Sequence, residues 1–164
     1  MKTLRMFILI GMIVGFTVMN GCATFPRGNS AQDSRIRDSG MATSAIPQGN
    51  IILPGPLKLT GIKNFFDPSE EKAVWWCEFI ASSFFSPPTM TAKWFAPDKS
   101  IYKEQEIKSF WISEAIIAEL LIKGSAAQAK QGKWKIEVYY EDKLFDQVWF
   151  MIGGQKETVK MGED

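Results

Sequence analysis

The residue types that most often carry out chemistry are scarce in this chain, which has 164 residues, no His and only two Cys. Without His the chain lacks the commonest general base, the Ser–His and Cys–His nucleophile pairs, and every His-containing metal site. Acid–base chemistry would fall to carboxylates that stand close together in the sequence: Glu70 with Glu71, Glu104 with Glu106, and Glu141 with Asp142. These pairs lie in polar turns or on a charged strand face, where solvation keeps carboxylates ordinary. We therefore predict a non-catalytic protein that needs no metal and no cofactor.

The charge balance excludes another class of function. The chain carries 19 Lys plus Arg against 18 Asp plus Glu, a formal net charge of +1. A nucleic-acid-binding domain needs a clustered basic surface, and this composition provides none. We expect no nucleic-acid partner.

The N-terminal residues have the layout of a targeting signal. Lys2 and Arg5 form a short positive region, and the uncharged, mostly apolar run 6–19 follows them. This run is shorter than the about 20 apolar residues that a bilayer crossing needs, which is typical of a secretory signal.

The first cysteine follows that run, at the end of Val18-Met19-Asn20-Gly21-Cys22. This string resembles the lipobox of bacterial lipoproteins, in which a small residue directly precedes a cysteine. The resemblance implies that the signal peptide 1–21 is removed and that Cys22 is acylated. Because Ala23-Thr24 lacks the Asp that retains some lipoproteins at the inner membrane, it also implies the periplasmic face of the outer membrane. Cleavage after Ala23 and an uncleaved anchor are the alternatives.

The composition divides the rest of the chain into three parts. Residues 22–56 hold the lipidated Cys and then a Pro-, Gly- and Ser-containing stretch with a single aromatic residue, which predicts a flexible linker. Residues 57–152 hold most of the aromatic residues and predict one domain. Residues 153–164 are mostly polar and predict a tail. The second cysteine, Cys77, lies in an apolar run, where we expect it to be a small buried hydrophobe.

Period-two alternation predicts that the domain is built of strands. Residues 133–140 alternate between apolar and charged side chains, 141–143 form a polar turn, and 144–152 continue as the second strand of a hairpin. Residues 89–95 predict a strand that ends in a turn, and 73–81 predict a strand covered on both faces. Residues 57–66 and 101–110 are weaker strand candidates. The Ala, Glu and Leu content of 112–123 favours a helix, but the short spacing of the turns favours a strand, which we predict. Residues 124–132 would form a loop.

Two of these segments carry a resemblance. Trp94-Phe95-Ala96-Pro97-Asp98 and Gly132-Lys133-Trp134-Lys135-Ile136-Glu137-Val138-Tyr139 resemble the Trp-x-x-Pro-Asp-Gly turn and the Gly-x-Trp-x-Val-x-Val strand of bacterial immunoglobulin-like domains. Lys99 replaces the usual turn glycine. The resemblance implies an all-β fold, a single immunoglobulin-like antiparallel β-sandwich of about seven strands. It implies no activity, because this architecture hosts many tasks.

The last hairpin also predicts a surface. If Leu144, Val148, Phe150 and Ile152 point inward, then the large side chains of opposite parity point outward: Tyr139, Phe145, Trp149 and Met151. An exposed patch of this kind marks a partner surface. The alternative is that the linker, the loop or a second protomer covers it.

These inferences together predict a lipid-anchored periplasmic binding or scaffolding module of the bacterial envelope. Its partners would be the membrane, through the N-terminal lipid, and either an envelope protein or a second copy of the chain. One alternative is a β-sandwich that binds carbohydrate or peptidoglycan through its Trp rings. The other is a histidine-independent hydrolase that uses carboxylates alone.

Overall fold

The computed structural model describes residues 33–48, 56–80, 88–108 and 115–154. The predicted signal peptide 1–21 and Cys22 lie outside these residues, and the tail 153–164 lies outside them from residue 155 onward. The described elements, in chain order, are β1 (Ile36–Ala42), β2 (Ser44–Pro47), β3 (Leu57–Thr60), β4 (Phe65–Phe66), β5 (Lys72–Phe79), β6 (Thr89–Phe95), β7 (Ile101–Lys108), β8 (Ala115–Leu121), α1 (Ala126–Ala129), β9 (Gly132–Tyr140) and β10 (Lys143–Ile152). None of the helices among these residues is long and apolar enough to span a membrane.

Two sheets pack face to face around one core. The three-stranded sheet has the order β1-β5-β8, and the five-stranded sheet has the order β4-β10-β9-β6-β7. All pairs in both sheets are antiparallel except β4 with β10. The core joins aromatic side chains of both sheets, including Trp75 and Phe79 on one side and Trp94, Trp134 and Phe150 on the other.

This topology is that of an immunoglobulin-like sandwich. Strands β5 and β8 correspond to strands B and E of the immunoglobulin fold, and β6, β7, β9 and β10 correspond to C, C′, F and G. The prediction of an all-β, immunoglobulin-like sandwich is therefore confirmed. The two sheets hold eight strands, and β2 and β3 form an additional two-stranded ribbon.

The predicted linker is wrong for part of its range, because β1 and β2 both lie within 22–56. These strands carry few large apolar residues, but their small residues permit close packing against β5. The ring of Trp76 approaches to 3.4 Å from where a side chain at Gly40 would begin. Ala42 and Ala45 are buried. Backbone pairing with β5 and β3 supplies the hydrogen bonds that composition alone does not reveal.

The β2–β3 ribbon covers the outer face of the three-stranded sheet. Its Ala45 and Leu57 pack with Val74, Trp76 and Ala115 in a second, smaller apolar cluster. Strand β5 is therefore buried on both faces, as its continuous apolar sequence predicts. Cys77 on this strand is buried in the main core, which confirms its expected role as a small hydrophobe.

Two other predictions are resolved by the same structure. Residues 115–121 of the ambiguous segment form strand β8, so the strand prediction is confirmed there. The predicted loop 124–132 contains a one-turn helix, α1, whose first turn is capped by the Ser125 side chain accepting from the Ala127 N–H. At the turn after β6, Lys99 adopts a φ of 67°, the left-handed conformation for which related turns use glycine.

Candidate functional site

The candidate site is the outer face of the five-stranded sheet, on the side away from the core. Strand β9 alternates strictly, so Trp134, Ile136 and Val138 are buried. The residues of opposite parity on β9 lie on the outer face: Lys133, Lys135, Glu137 and Tyr139. Register then sets their neighbours, since Lys135 pairs with Trp149 of β10 on one side and with Phe95 of β6 on the other.

Three aromatic rings and three lysines interleave on this surface. We call Phe95, Tyr139, Trp149, Lys93, Lys133, Lys135 and Glu137 the outer aromatic–lysine face. The Lys133 Nζ lies 4.4 Å from the centre of the Trp149 ring. The Lys135 Nζ lies 4.3 Å from the Phe95 ring and 5.4 Å from the Trp149 ring. These distances are within the range of cation–π attraction, which therefore holds each ammonium near a ring.

Lys93 completes the pattern on the neighbouring strand. Its Nζ lies 5.5 Å from the centre of the Tyr139 ring. It also lies 3.5 Å from Glu104 Oε1 on β7, the strand at the edge of the sheet. Lys133 differs from it, because among the described residues Lys133 forms no ion pair. Among the described residues, the surface thus has paired charges toward β7 and an ammonium without a carboxylate partner toward β10.

Glu137 is the single carboxylate at the centre of the face. It accepts hydrogen bonds of 2.5 Å from both the Lys135 Nζ and the Tyr139 hydroxyl. Burial raises the pKa of Glu137, but these two hydrogen bonds outweigh it and hold the pKa below the ordinary value. The hydrogen bond to Glu137, together with burial, raises the pKa of Tyr139 to about 12. At neutral pH the carboxylate is therefore ionised and the phenol is neutral.

The prediction that Phe145 points outward, which assumed strict alternation along β10, is wrong. Phe145 is 1% exposed and lies in the core, whereas Leu144 is 38% exposed. The cause is a β-bulge, since the register with β9 shifts between Leu144 and Asp146. A bulge leaves one residue without an opposite partner, so Phe145 and Asp146 both turn inward. Phe145 is therefore removed from the candidate surface.

The other three predicted residues remain on the outer face. Tyr139, Trp149 and Met151 are half-buried, and Met151 pairs with Lys133 at the end of β10. Sequence reasoning missed the charged members of the face and also Phe95. The signal was present, because Lys133, Lys135 and Glu137 share the parity of Tyr139 along one alternating strand.

The arrangement is suited to binding through ring surfaces and positive charge. Within the described part of the chain no group of three potential metal ligands comes together. The carboxylates considered above for acid–base work are exposed, apart from Glu70, which is half-buried and pairs with Lys63. The chemistry that these residues offer at the surface is recognition by stacking, burial of apolar area and ion pairing.

The comparisons with known proteins give no family. No family model and no curated protein matches the chain. Among solved structures, the chain is similar to an immunoglobulin-like protein from Pseudomonas aeruginosa, with 12% identity and a TM-score of 0.46, over 76% of this chain and 100% of that one. It is also similar to Pseudomonas fluorescens alkylpurine DNA glycosylase AlkC bound to DNA containing an abasic site analog. That match has 8% identity and a TM-score of 0.33, and it covers 71% of this chain and 30% of that one.

Proposed function

We propose that this chain is a lipid-anchored, non-catalytic binding or scaffolding module of the bacterial envelope, and that the outer aromatic–lysine face is its binding surface. The immunoglobulin-like fold is consistent with a binding or scaffolding role. A fold does not determine a function, so the proposal depends on the surface itself.

One observation carries the proposal, the difference between the outer faces of the two sheets. The three-stranded sheet is covered by the β2–β3 ribbon, which buries Val74 and Trp76. Over the five-stranded sheet no described strand or helix forms such a cover. Its Phe95, Tyr139 and Trp149 are only half-buried. Large aromatic residues left on one open face are typical of surfaces that bind a partner.

The partner test compares residues of the two outer faces in cells. Trp149→Ala and Tyr139→Ala should leave the fold intact, because both residues lie outside the core, and should abolish co-purification with a crosslinked partner. Ile46→Ala is the matched control, because Ile46 is 55% exposed on the ribbon that covers the other sheet. Retention of every partner by both aromatic variants would refute the proposed surface.

The anchor would be an acyl group on Cys22, which places the domain at the periplasmic face of the outer membrane. Acylation binds a protein to a membrane, since each buried CH₂ of the acyl chain contributes about 0.8 kcal/mol. The first described residue, Asp33, is bound to the sandwich, because its N–H donates a 3.2 Å hydrogen bond to the Phe145 carbonyl. From Cys22 to Asp33 a fully extended chain spans at most about 40 Å. The domain would therefore stay close to the membrane.

The anchor has its own test. Inhibition of lipoprotein processing with a globomycin-type compound should accumulate the precursor, and Cys22→Ser should remove the protein from the outer-membrane fraction. An unchanged ratio of precursor to mature protein would count against acylation of Cys22.

A carbohydrate-binding module is the second candidate, favoured by the three aromatic rings on one open face. The apolar face of a sugar ring can stack on an exposed aromatic ring. In this structure, however, the ammonium groups of Lys133 and Lys135 lie over the Trp149 ring, so a sugar would have to displace them. Retention on immobilised peptidoglycan that is lost on Trp149→Ala would support this candidate over a protein partner.

A further inference from the structure

We propose that the ligand of the outer aromatic–lysine face is an acidic protein segment in extended conformation, whose carboxylates pair with the lysines. This inference rests on the proposed function, in which the same face binds a partner. It adds the chemistry of that partner, and three features of the face support it.

The first feature is the charge at the centre of the face. The face holds three lysines and one carboxylate, and that carboxylate is already engaged, since Glu137 accepts hydrogen bonds from Lys135 and Tyr139. Lys133 has no carboxylate partner among the described residues. The part of the face around Lys133 and Lys135 is thus positive, while carboxylates stand on β7 at the edge of the sheet (Glu104 and Glu106) and in the turn at 141–142. An acidic ligand would follow β9 and β10 and avoid the β7 edge.

The second feature is that the lysines are held in place before a ligand arrives. A free lysine side chain loses rotamer entropy when it binds, and this loss weakens exposed ion pairs. Here the Trp149 ring lies 4.4 Å from the Lys133 Nζ, and the Phe95 ring lies 4.3 Å from the Lys135 Nζ. Because the rings restrict the ammonium groups, less entropy remains to be lost on binding.

The third feature is spacing. Lys133 and Lys135 are alternate residues of one strand, so their Cα atoms lie about 6.6 Å apart. An extended peptide carries its alternate side chains at the same spacing. A segment with acidic residues at alternate positions can therefore present one carboxylate to each lysine.

The test uses the full chain in detergent micelles and a short fluorescent peptide in which Glu alternates with Thr. The peptide should bind, a peptide with Gln in place of Glu should not, and added salt should weaken binding. Lys133→Gln should weaken binding about threefold, the scale of one exposed ion pair. Lys58→Gln is the matched control, because Lys58 is an exposed lysine on β3, over the other sheet.

A substitution with the opposite expected sign separates recognition from damage to the fold. Glu137→Gln removes the one negative charge at the centre of the face and keeps the shape of the side chain. It should strengthen binding of the acidic peptide by about threefold, the scale of one exposed charge pair. A general loss of structure would weaken binding instead.

The inference would be overturned by no saturable binding of the acidic peptide, by equal binding of the Gln peptide, or by no effect of Lys133→Gln. Tighter binding of polygalacturonate than of the peptide would also overturn it, in favour of an anionic glycan. If the peptide fails but Trp149→Ala still loses its crosslinked partner in cells, the inference fails and the proposed function stands. If the aromatic variants retain every partner, the proposed function itself fails.

Discussion

The indole N–H of Trp75 donates a 2.9 Å hydrogen bond to Oδ2 of Asp146 across the middle of the sandwich. Trp75 belongs to the three-stranded sheet and Asp146 to the five-stranded sheet, so this bond joins the two layers. Both side chains are buried, with Trp75 fully inaccessible and Asp146 5% exposed. The bond depends on the β10 bulge, which turns Phe145 and Asp146 inward together.

Loss of this bond should destabilise the fold. Trp75→Phe removes the indole N–H donor, so the buried Asp146 carboxyl loses this hydrogen bond. The free energy of unfolding should fall by about 1–3 kcal/mol, in addition to the effect of the smaller ring. Trp76→Phe is the matched control, because Trp76 is the neighbouring residue on β5 and its buried Nε1 has no hydrogen-bond partner among the described residues. Urea denaturation should therefore show a larger loss of unfolding free energy for Trp75→Phe. Equal losses in the two variants would argue against a stabilising bond.

The bulge predicts that two adjacent residues of β10 differ in their contribution to the unfolding free energy. Phe145→Ala should cost about 3–5 kcal/mol of unfolding free energy, because Phe145 lies in the core. Leu144→Ala should change it by no more than about 0.5 kcal/mol, because that side chain is exposed. Thermal or chemical denaturation measures both. Simple alternation along β10 predicts the opposite order, so a larger effect at Leu144 would contradict the register.

The low pKa of Glu137 predicts a dependence of stability on pH. A carboxyl group whose pKa is lower in the folded state stabilises the fold above its unfolded pKa, and the contribution is lost as pH falls through the folded pKa. The unfolding free energy of the native chain should therefore decrease on acidification below the ordinary value of 4.5. In Glu137→Gln this part of the decrease should be absent. An unchanged pH profile in the variant would show that Glu137 contributes nothing to it.

The same carboxylate should control the ionisation of Tyr139. Deprotonation of the phenol would break its hydrogen bond to Glu137 and place two negative charges together, which raises the pKa of Tyr139 to about 12. Glu137→Gln should return this pKa toward the ordinary value of 10.0. Ultraviolet titration of tyrosinate absorbance measures it, and a Tyr139→Phe variant identifies which tyrosine responds. A titration that is identical in the native chain and Glu137→Gln would contradict the hydrogen bond.

The strands that sequence could predict are those whose side chains alternate. The alternation of Trp134, Ile136 and Val138 with charged residues fixes the faces of β9, and the polar turn at 141–142 places the hairpin. These signals depend on local sequence and on burial of one face, which period-two patterning reports directly.

The remaining features depend on partners that are distant in the sequence. Strand β1 has few large apolar residues, so its composition does not predict a core strand. Its Gly40 and Ala42 contribute because they are small enough to pack closely beside Trp76. The bulge at Phe145 depends on how β10 registers with β9, and a one-residue shift moves a side chain to the other face. The ring contacts of the candidate-site lysines could not be predicted from local sequence, since the rings lie on neighbouring strands.

If the open face of the five-stranded sheet is the binding surface of this module, a partner should lie against it in cells. The most direct measurement is site-specific photo-crosslinking in cells from Gln147, which pairs with Glu137 near the centre of that face. The same crosslinker at Lys58 reports on the ribbon over the other sheet. We expect a discrete crosslinked partner from Gln147 and none from Lys58. No product from Gln147, or the same products from both positions, would contradict it.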